Sequence, residues 1–294
     1  GTWNPTKGGQ LFRQPLGETS AWEPVTTDGF GDRNNESLSQ LWVFDGFLYA
    51  ACPNYRQGVN LFRSSTGNPT EWESLEIPDL GVSGNSDISS AYVQGDCCLV
   101  GTETILPPAN GGEIRRIRTG KTNPEWVILN IPGFGKRTNQ HVGGLVIFQK
   151  NLYAVTWNGA HGFEIWKAPW ADDSPLRDWV CVAKDGITNN RFSTATCLLM
   201  HNETLIVGVR GRFLHEGDLY TPEVKVTQAI GGAVFFSRDG SRWEFLQADE
   251  AWGPPCLGVQ SMAVFNDNLY VGTFSLNTPA RVWRVEIPVA SSKR

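Results

Sequence analysis

The chain has 294 residues, a formal net charge of −5 and 40% hydrophobic residues, with 12 Trp and 15 Phe available for a core. Only 19% of the residues are charged, which excludes a disordered or coiled-coil protein. The acidic balance, with no cluster of Lys and Arg, argues against a nucleic-acid partner. No apolar run is long enough to span a membrane, so no membrane partner is expected either.

The six cysteines show no CxxC spacing and are too few for a disulfide framework. Cys98 and Cys197 stand where related segments carry Leu or Met, which indicates buried thiols. A disulfide between the adjacent Cys97 and Cys98 is the alternative. The sequence starts at Gly1 rather than Met, which indicates a mature or trimmed form. Sequons at Asn35 and Asn202 favour a secreted or periplasmic location, and a cytoplasmic one stays open.

Two strand-like segments come first in the chain, Leu11–Arg13 and Trp22–Val25. Five later segments each have an apolar run, a short polar turn and a second apolar run, which is the pattern of a β-hairpin. They lie at 41–52, 91–102, 145–156, 197–209 and 262–273. Their starts are 50, 54, 52 and 65 residues apart, so the chain repeats a unit of roughly 50 residues.

Each hairpin is followed by a third strand, and most by a fourth that is centred on tryptophan. The third strands are predicted at 59–64, 113–118, 163–168, 233–238 and 281–286, and the fourth at 71–76, 125–130, 178–183 and 242–247. Four short strands in such a repeat are typical of a blade of a β-propeller. The sequence therefore predicts one all-β propeller domain over 1–294, with blades at about 39–78, 89–132, 143–184, 195–249, and 260–288 plus 9–27.

The turn between a third and a fourth strand carries a family resemblance. Ser237-Arg238-Asp239-Gly240-Ser241-Arg242-Trp243 resembles a shortened Asp-box, the S-x-D-x-G-x-x-W turn of sialidase-type (BNR-repeat) propellers. In such a turn the Asp accepts backbone N–H bonds, the Gly takes a positive φ and the Trp packs between blades. Other units keep the Trp and lose the Asp. The resemblance implies a fold and not an activity.

The last unit ends without a fourth strand, and the segment at Trp22–Val25 can supply it. Strands from both chain ends would then close the ring and remove an open edge. Two segments, Leu11–Arg13 and 282–284, match the same third-strand position. We therefore predict five blades closed by N- and C-terminal strands, with six blades as the alternative. The tryptophans of the fourth strands are predicted to be core, and the basic residues at one point of the third strand, such as Arg13 and Arg63, to be structural.

In a propeller, the loops from strand four to the next strand one, and from strand two to strand three, emerge on one face, called here the top face. This face is the expected site of binding or catalysis. The first set of loops repeats an asparagine near the central channel: Asn35, Asn85, Asn139 and Asn190. These side chains are predicted to brace turns. A calcium ion on the axis, held by Glu36, Asp87 and the amide oxygens of Asn35 and Asn85, is the alternative.

The top-face loops supply the candidate site residues. A long insert at 209–232 explains the 65-residue spacing and is expected to form a lid or a wall of the site. The predicted acid–base or catalytic residues are His141, His161, Asp87 and Arg210, which are expected to converge in one cleft. The predicted ligand-binding residues are Tyr55, Arg56, Trp157, Asn158, Arg191, Arg212, His215, Glu216 and Tyr220.

Three functions fit this pattern. The preferred one is a carbohydrate-handling propeller with a single asymmetric pocket on the top face, because the loops differ from blade to blade. The second is a hydrolase or lyase acting on a glycan or another small molecule through acid–base residues in that pocket. The third is a protein-interaction scaffold. A sialidase in the strict sense is disfavoured, because the sequence has no FRIP-type motif on a first strand and LFRQ at 11–14 lies on a third strand.

Overall fold

Antiparallel strands make up nearly all of the regular structure. The computed structural model describes residues 1–17, 21–77, 80, 84–119, 126–171, 176, 178–188, 190–216, 225–247, 252, 256–276 and 279–287. The chain forms two compact units, residues 1–142 and 143–294. A 3-10 turn occupies Pro132–Gly135. Within the described ranges, no helix is both long enough and apolar enough to cross a membrane.

The first unit contains two separate antiparallel sheets and a further run of antiparallel strands. A two-stranded sheet pairs β1 with β2, and a four-stranded sheet has the order β3-β4-β5-β6. The third group of strands, β7 to β10, is likewise paired in sequence order. The strand bounds are β1 Leu11–Arg13, β2 Glu23–Thr26, β3 Gln40–Phe44, β4 Phe47–Cys52, β5 Asn60–Ser64, β6 Glu73–Leu75, β7 Asn85–Gln94, β8 Cys97–Thr104, β9 Ile114–Arg118 and β10 Val127–Ile128.

β11, whose first two residues belong to the first unit, and the strands of the second unit repeat the same pairing of consecutive strands. The exception is a two-stranded sheet, β17-β18, which is inserted between β16 and β19, so that β16 pairs directly with β19. The strand bounds are β11 His141–Phe148, β12 Asn151–Trp157, β13 Ile165–Pro169, β14 Val180–Ala183, β15 Phe192–His201, β16 Thr204–Gly211, β17 Phe213–Glu216, β18 Lys225–Ala229, β19 Ala233–Ser237, β20 Glu244–Gln247, β21 Gly258–Phe265, β22 Asn268–Phe274 and β23 Val282–Val285.

These pairings confirm the all-β prediction and the four-stranded repeat, an arrangement consistent with the blades of a β-propeller. Apolar strands of successive repeats pack together within the first unit. In the first unit, Trp42, Leu61, Ile88 and Val100 from two successive repeats share one core cluster. The predicted third strands are all present, as β5, β9, β13, β19 and β23. The number of blades, the closure and the single-domain organisation stay predictions.

The first strand of several repeats starts earlier than the sequence predicted. β7, β11, β15 and β21 begin at Asn85, His141, Phe192 and Gly258 rather than at 91, 145, 197 and 262. Asp87 and His141 are therefore strand residues and not loop residues, and Arg210 likewise lies on β16. The apolar pattern ends early because bulges interrupt the alternation of side chains, for example between Ile88 and Ser90.

A hydroxyl at the same point of successive first strands joins each strand to the next. Ser39 donates to the carbonyl of Ile88 at 3.1 Å, and Ser90 donates to the carbonyl of Val142 at 2.7 Å. In the second unit, Thr196 donates to the carbonyl of Val259 at 2.9 Å. Each of these buried or half-buried hydroxyls thus provides a hydrogen-bond donor to a backbone carbonyl of the next first strand.

The fourth-strand tryptophans are less buried than predicted. Trp22 is 63% exposed, and Trp72, Trp126, Trp179 and Trp243 are half-buried. The fourth strand is the outer edge strand of its sheet, so one side of the ring faces solvent. The third-strand arginines are structural, as predicted: Arg63 pairs with Glu73 and Arg13 with Glu23, each across its own strand pair.

The Asp-box-like turn has the predicted local geometry. Asp239 accepts the backbone N–H groups of Ser241 and Arg242, both at 2.8 Å, and Ser237 accepts the N–H of Gly240 at 2.9 Å. Gly240 has a φ of 69°. Its Cα also faces the Tyr153 hydroxyl so closely that a Cβ would lie 2.0 Å from that oxygen. Glycine is therefore required here for two separate reasons.

All six cysteines are free, so the alternative of a Cys97–Cys98 disulfide is wrong. Cys98 is fully buried, which confirms the prediction of a buried thiol. Burial raises the pKa of its thiol to about 12, and the neighbouring Cys97 acts in the same direction. The thiol stays protonated at neutral pH, which removes its nucleophilic form.

Candidate functional site

Three ionisable side chains within residues 1–142 lie on neighbouring strands. Asp87 on β7 is directly opposite Glu103 on β8. His141, the first residue of β11, is opposite Glu103 on its other side. Residues opposite each other on antiparallel strands have Cβ atoms about 4.5–5.5 Å apart and point to the same face. Glu103 therefore has a carboxyl group on one side and an imidazole on the other.

Asp87 is a buried residue, with a relative exposure of 7%. Ser39 donates its hydroxyl to Asp87 Oδ1 at 2.6 Å. Burial raises the pKa of Asp87 well above its usual range, and the Glu103 carboxylate acts in the same direction. Hydrogen bonds from Ser39 and from the Ile88 backbone oppose this rise in pKa and are the smaller effect. Asp87 thus holds its proton to a higher pH than an exposed Asp does.

The thiol of Cys52 is buried and is influenced by the charge of Asp87. Burial raises the pKa of Cys52 to about 12, and the charge of Asp87 acts in the same direction. A thiol in this state is not a nucleophile at neutral pH. The ionisable chemistry of this cluster therefore belongs to the two carboxyl groups and the histidine.

The predicted ligand residues Tyr55 and Arg56 lie in an exposed turn between β4 and β5. The side-chain oxygen of Asn54 organises this turn by accepting the backbone N–H groups of Arg56 and Gln57 at 3.1 and 3.0 Å. Asn158, after β12, does the same for the two N–H groups at positions 160 and 161. Asn158 is fully buried. Its side-chain oxygen is thus occupied by its own turn.

The repeated asparagines brace loops, as predicted. Asn35 donates its amide to the carbonyl of Gly29 at 2.8 Å, and Asn139 donates to the carbonyl of Gly133 at 3.0 Å, six residues back in each case. Asn190 uses a different partner and donates to the carbonyl of Ala160 at 3.1 Å. These contacts fix the loop that leads into each first strand.

The predicted calcium ligands have protein partners. The amide oxygen of Asn35 accepts hydrogen bonds from Asn54 and Asn60, and that of Asn85 accepts from Thr102 and Thr104. Among the described residues, no group of three His, Cys, Asp or Glu is arranged to hold a metal ion. A calcium ion on the axis stays a prediction, and the two asparagines have their oxygens engaged elsewhere.

Two further predicted catalytic residues, Arg210 and His161, lie in the second unit. Arg210 sits on β16 opposite Gly258, with its guanidinium 4.8 Å from the ring centre of Phe274 and hydrogen-bonded to Gln260. His161 is exposed in the turn that Asn158 organises. The structure thus places Asp87 and His141 on either side of Glu103. Arg210 contacts Phe274 and Gln260 instead, and His161 lies in the turn of Asn158.

Trp157 ends β12, opposite Thr194 on β15, and is half-buried. Arg191 precedes β15, with its guanidinium 5.8 Å from the ring centre of Phe192. His215 belongs to β17, where its backbone pairs with Val226, and its side chain is outside the described part of the structure. Glu216 ends β17 and is exposed. Tyr220 lies outside the described residues.

The insert forms the hairpin β17–β18, and this hairpin is one wall of a pocket of about 440 Å³. Arg212 joins the hairpin to the loops before it: its guanidinium donates to the carbonyls of Gly159 and Ala160 at 2.6 and 3.2 Å, and to both oxygens of Asn190. The pocket is lined by Gly159, Ser193, Gly211, Arg212, Phe213, Leu214, Gln228 and Ile230. The insert therefore lines a cavity, and that this cavity is the binding site stays a prediction.

The sequence did not reveal which residues surround Asp87 or which residues line the pocket at Arg212. Ser39 was not assigned to the site. Glu103 was expected in a loop of the top face, but it was given no catalytic or ligand-binding role. Ser193 and Gln228 in the pocket carried no signal, because isolated Ser and Gln residues are common on any protein surface.

Comparison with solved structures shows which known proteins have a similar fold. No protein-family model and no curated protein matches the chain. The solved structure of YjhT is similar over 97% of this chain and 90% of its own, at 11% identity and a TM-score of 0.58. The endosialidase of phage phi92 is similar over 80% of this chain at 13% identity and a TM-score of 0.52.

This chain spans about half of that endosialidase, 50% of its length. A GH43 endo-arabinanase from Bacillus licheniformis is similar over 83% of this chain and 91% of its own, at 10% identity and a TM-score of 0.48. At these identities the similarity is one of fold.

Proposed function

We propose that this protein is a glycan-acting propeller that hydrolyses a glycosidic bond, with Asp87 and Glu103 as its acid–base pair. The observation that carries the proposal is the cross-strand placement of the two carboxyl groups, with the pKa of Asp87 raised well above its usual range. Glycosidases use two carboxyl groups whose surroundings separate their protonation states. The endosialidase with a similar fold supports glycans as the first substrates to test.

The roles follow from the surroundings of each group. Asp87 carries the proton, because it is buried and lies beside a second carboxyl group. It gives this proton to the glycosidic oxygen as the bond to the anomeric carbon breaks. Glu103 is less buried and accepts a proton from the water molecule that forms the new bond to that carbon. His141, opposite Glu103, is a positioning residue for that carboxylate.

The proposal includes the finer architecture. Five blades close through N- and C-terminal strands, and the reaction takes place in a single asymmetric pocket on the top face, in a secreted or periplasmic protein. The four-stranded repeats, the two-stranded sheet β1-β2 and the last run of only three strands, β21-β22-β23, support five blades. A lectin without turnover is the second candidate, which the half-buried Trp157 beside the turn of Asn158 favours.

The experiment is a turnover screen of the wild-type chain against nitrophenyl glycosides and polysaccharides. Asp87→Asn and Glu103→Gln are the test variants, and Asp96→Asn is the matched control, since Asp96 is an exposed carboxyl in the turn between β7 and β8. Loss of turnover by about a hundredfold or more in both test variants, with the control unchanged, supports the proposal. Glycan binding without turnover would replace it with the lectin.

A further inference from the structure

Among the described residues, no other connection between a second and a third strand contains a hairpin like the insert between β16 and β19. The corresponding connections run directly from Cys52 to Asn60 and from Trp157 to Ile165. In this repeat the connection instead forms the hairpin β17–β18, and a pocket of about 440 Å³ lies against it. A pocket of this volume is in the range of small-molecule sites.

Arg212 gives this pocket an unbalanced positive charge. A guanidinium has five N–H groups and is always charged in proteins. In Arg212 four of them are used, and every acceptor is a neutral oxygen: the carbonyls of Gly159, Ala160 and Asn190 and the side-chain oxygen of Asn190. No carboxylate in the described part of the chain pairs with it. One N–H on Nη1 and the full charge remain for a ligand.

The remaining walls combine apolar surface with a few polar groups. Phe213, Leu214 and Ile230 provide the apolar surface, and Ser193 and Gln228 provide a hydroxyl and an amide. Leu214 is 61% exposed, so the apolar surface is open to a ligand. Apolar walls suit the C–H face of a sugar ring, and an Arg in a fixed position suits a carboxylate, because charge-assisted hydrogen bonds are the stronger kind.

We infer that this pocket binds a carboxylated sugar, a hexuronate unit of a glycan, with Arg212 as the group that recognises its carboxylate. The choice of a sugar rests on the proposed function, whereas the negative charge of the ligand rests on Arg212 alone. The fixed guanidinium is already oriented by its four hydrogen bonds, so little conformational entropy is lost when the ligand binds.

The test compares D-galacturonate with D-galactose, which differ only in having a carboxylate or a hydroxymethyl group at C6. Binding of both to the full chain is measured by saturation-transfer NMR and calorimetry. We expect galacturonate to bind about tenfold more tightly than galactose, the effect of one charge-assisted hydrogen bond. Neither sugar has a glycosidic bond to break, so the result is independent of turnover by Asp87 and Glu103.

Three variants make the test specific. Leu214→Glu places a negative charge on the wall, leaves the contacts of Arg212 in place, and is expected to abolish the preference for galacturonate. Arg212→Gln is expected to do the same. Lys225→Gln, on the exposed face of the same hairpin, removes a positive charge outside the pocket lining and is expected to keep the preference. Equal binding of the two sugars, no binding of galacturonate, or an unchanged preference in Leu214→Glu overturns the inference.

Discussion

Asp87 lies directly opposite Glu103 in the antiparallel register of β7 and β8. Two carboxyl groups in this relationship cannot both be ionised without mutual repulsion, and burial of Asp87 decides which of them keeps the proton. The pair therefore raises the pKa of Asp87, and ionisation of Asp87 lowers the stability of the fold. Both effects can be measured.

The stability cost predicts an unusual effect of Asp87→Asn. The pKa of Asp87 is raised in the folded state, so its contribution to stability is fully present below the unfolded pKa, about 3.9, and is lost as the pH rises through the folded pKa. At pH 7 the asparagine variant should have a higher free energy of unfolding than the wild type, together with reduced turnover. Urea unfolding at several pH values measures this. A variant less stable than the wild type at pH 7 would contradict the raised pKa.

Ser39→Ala tests the hydroxyl that holds Asp87. Ser39 donates to the carboxyl group at 2.6 Å and to the carbonyl of Ile88, and its hydrogen bond lowers the pKa of Asp87. Removing it should cost about 1 kcal/mol of stability and move the alkaline limb of the pH–rate profile to higher pH.

The matched control for Ser39→Ala is Ser90→Ala. Ser90 makes the equivalent contact to the carbonyl of Val142 at 2.7 Å and, among the described residues, donates to no carboxylate. It should lower stability by a similar amount and leave the pH–rate profile in place. The same shift in both variants would show that the profile reports strand packing and not Asp87.

The sequence predicted those parts of the architecture that depend on residues close together in the chain. The hairpins, the third strands and the turn of Asp239 and Gly240 follow from apolar patterns and turn residues, and the structure confirms them. The starts of the first strands were missed, because the bulge beside Ser90 interrupts the alternation. The pairing of Asp87 with Glu103 depends on register, which residue types alone do not specify.

Asp239 should show the opposite pH dependence to Asp87. Backbone N–H groups of Arg242 and Ser241 lower the pKa of its carboxyl group. Its stabilising contribution is therefore present above the unfolded pKa and is lost as the pH falls through the folded pKa. Asp239→Asn should reduce the dependence of unfolding free energy on pH below about pH 4. An unchanged slope in urea unfolding between acidic and neutral pH would contradict the turn geometry.

Asn158→Ala should destabilise the fold. Its buried oxygen accepts two backbone N–H groups, so the variant leaves both without that acceptor, at an expected cost of about 2 kcal/mol. His161→Ala changes an exposed side chain in the same turn and should alter stability by less than about 0.5 kcal/mol. Thermal and urea unfolding measure both. A neutral Asn158→Ala with impaired ligand binding would instead assign this residue to a ligand.

The most direct test is a carbon-13 NMR titration of the Asp87 carboxyl group, assigned by its absence in Asp87→Asn. The expected result is a titration well above the value of about 3.9 for an exposed Asp, with a lower midpoint in Glu103→Gln because the like charge is removed. A midpoint at or below about 3.9, unchanged in Glu103→Gln, would contradict the carboxyl pair on which the proposed function rests.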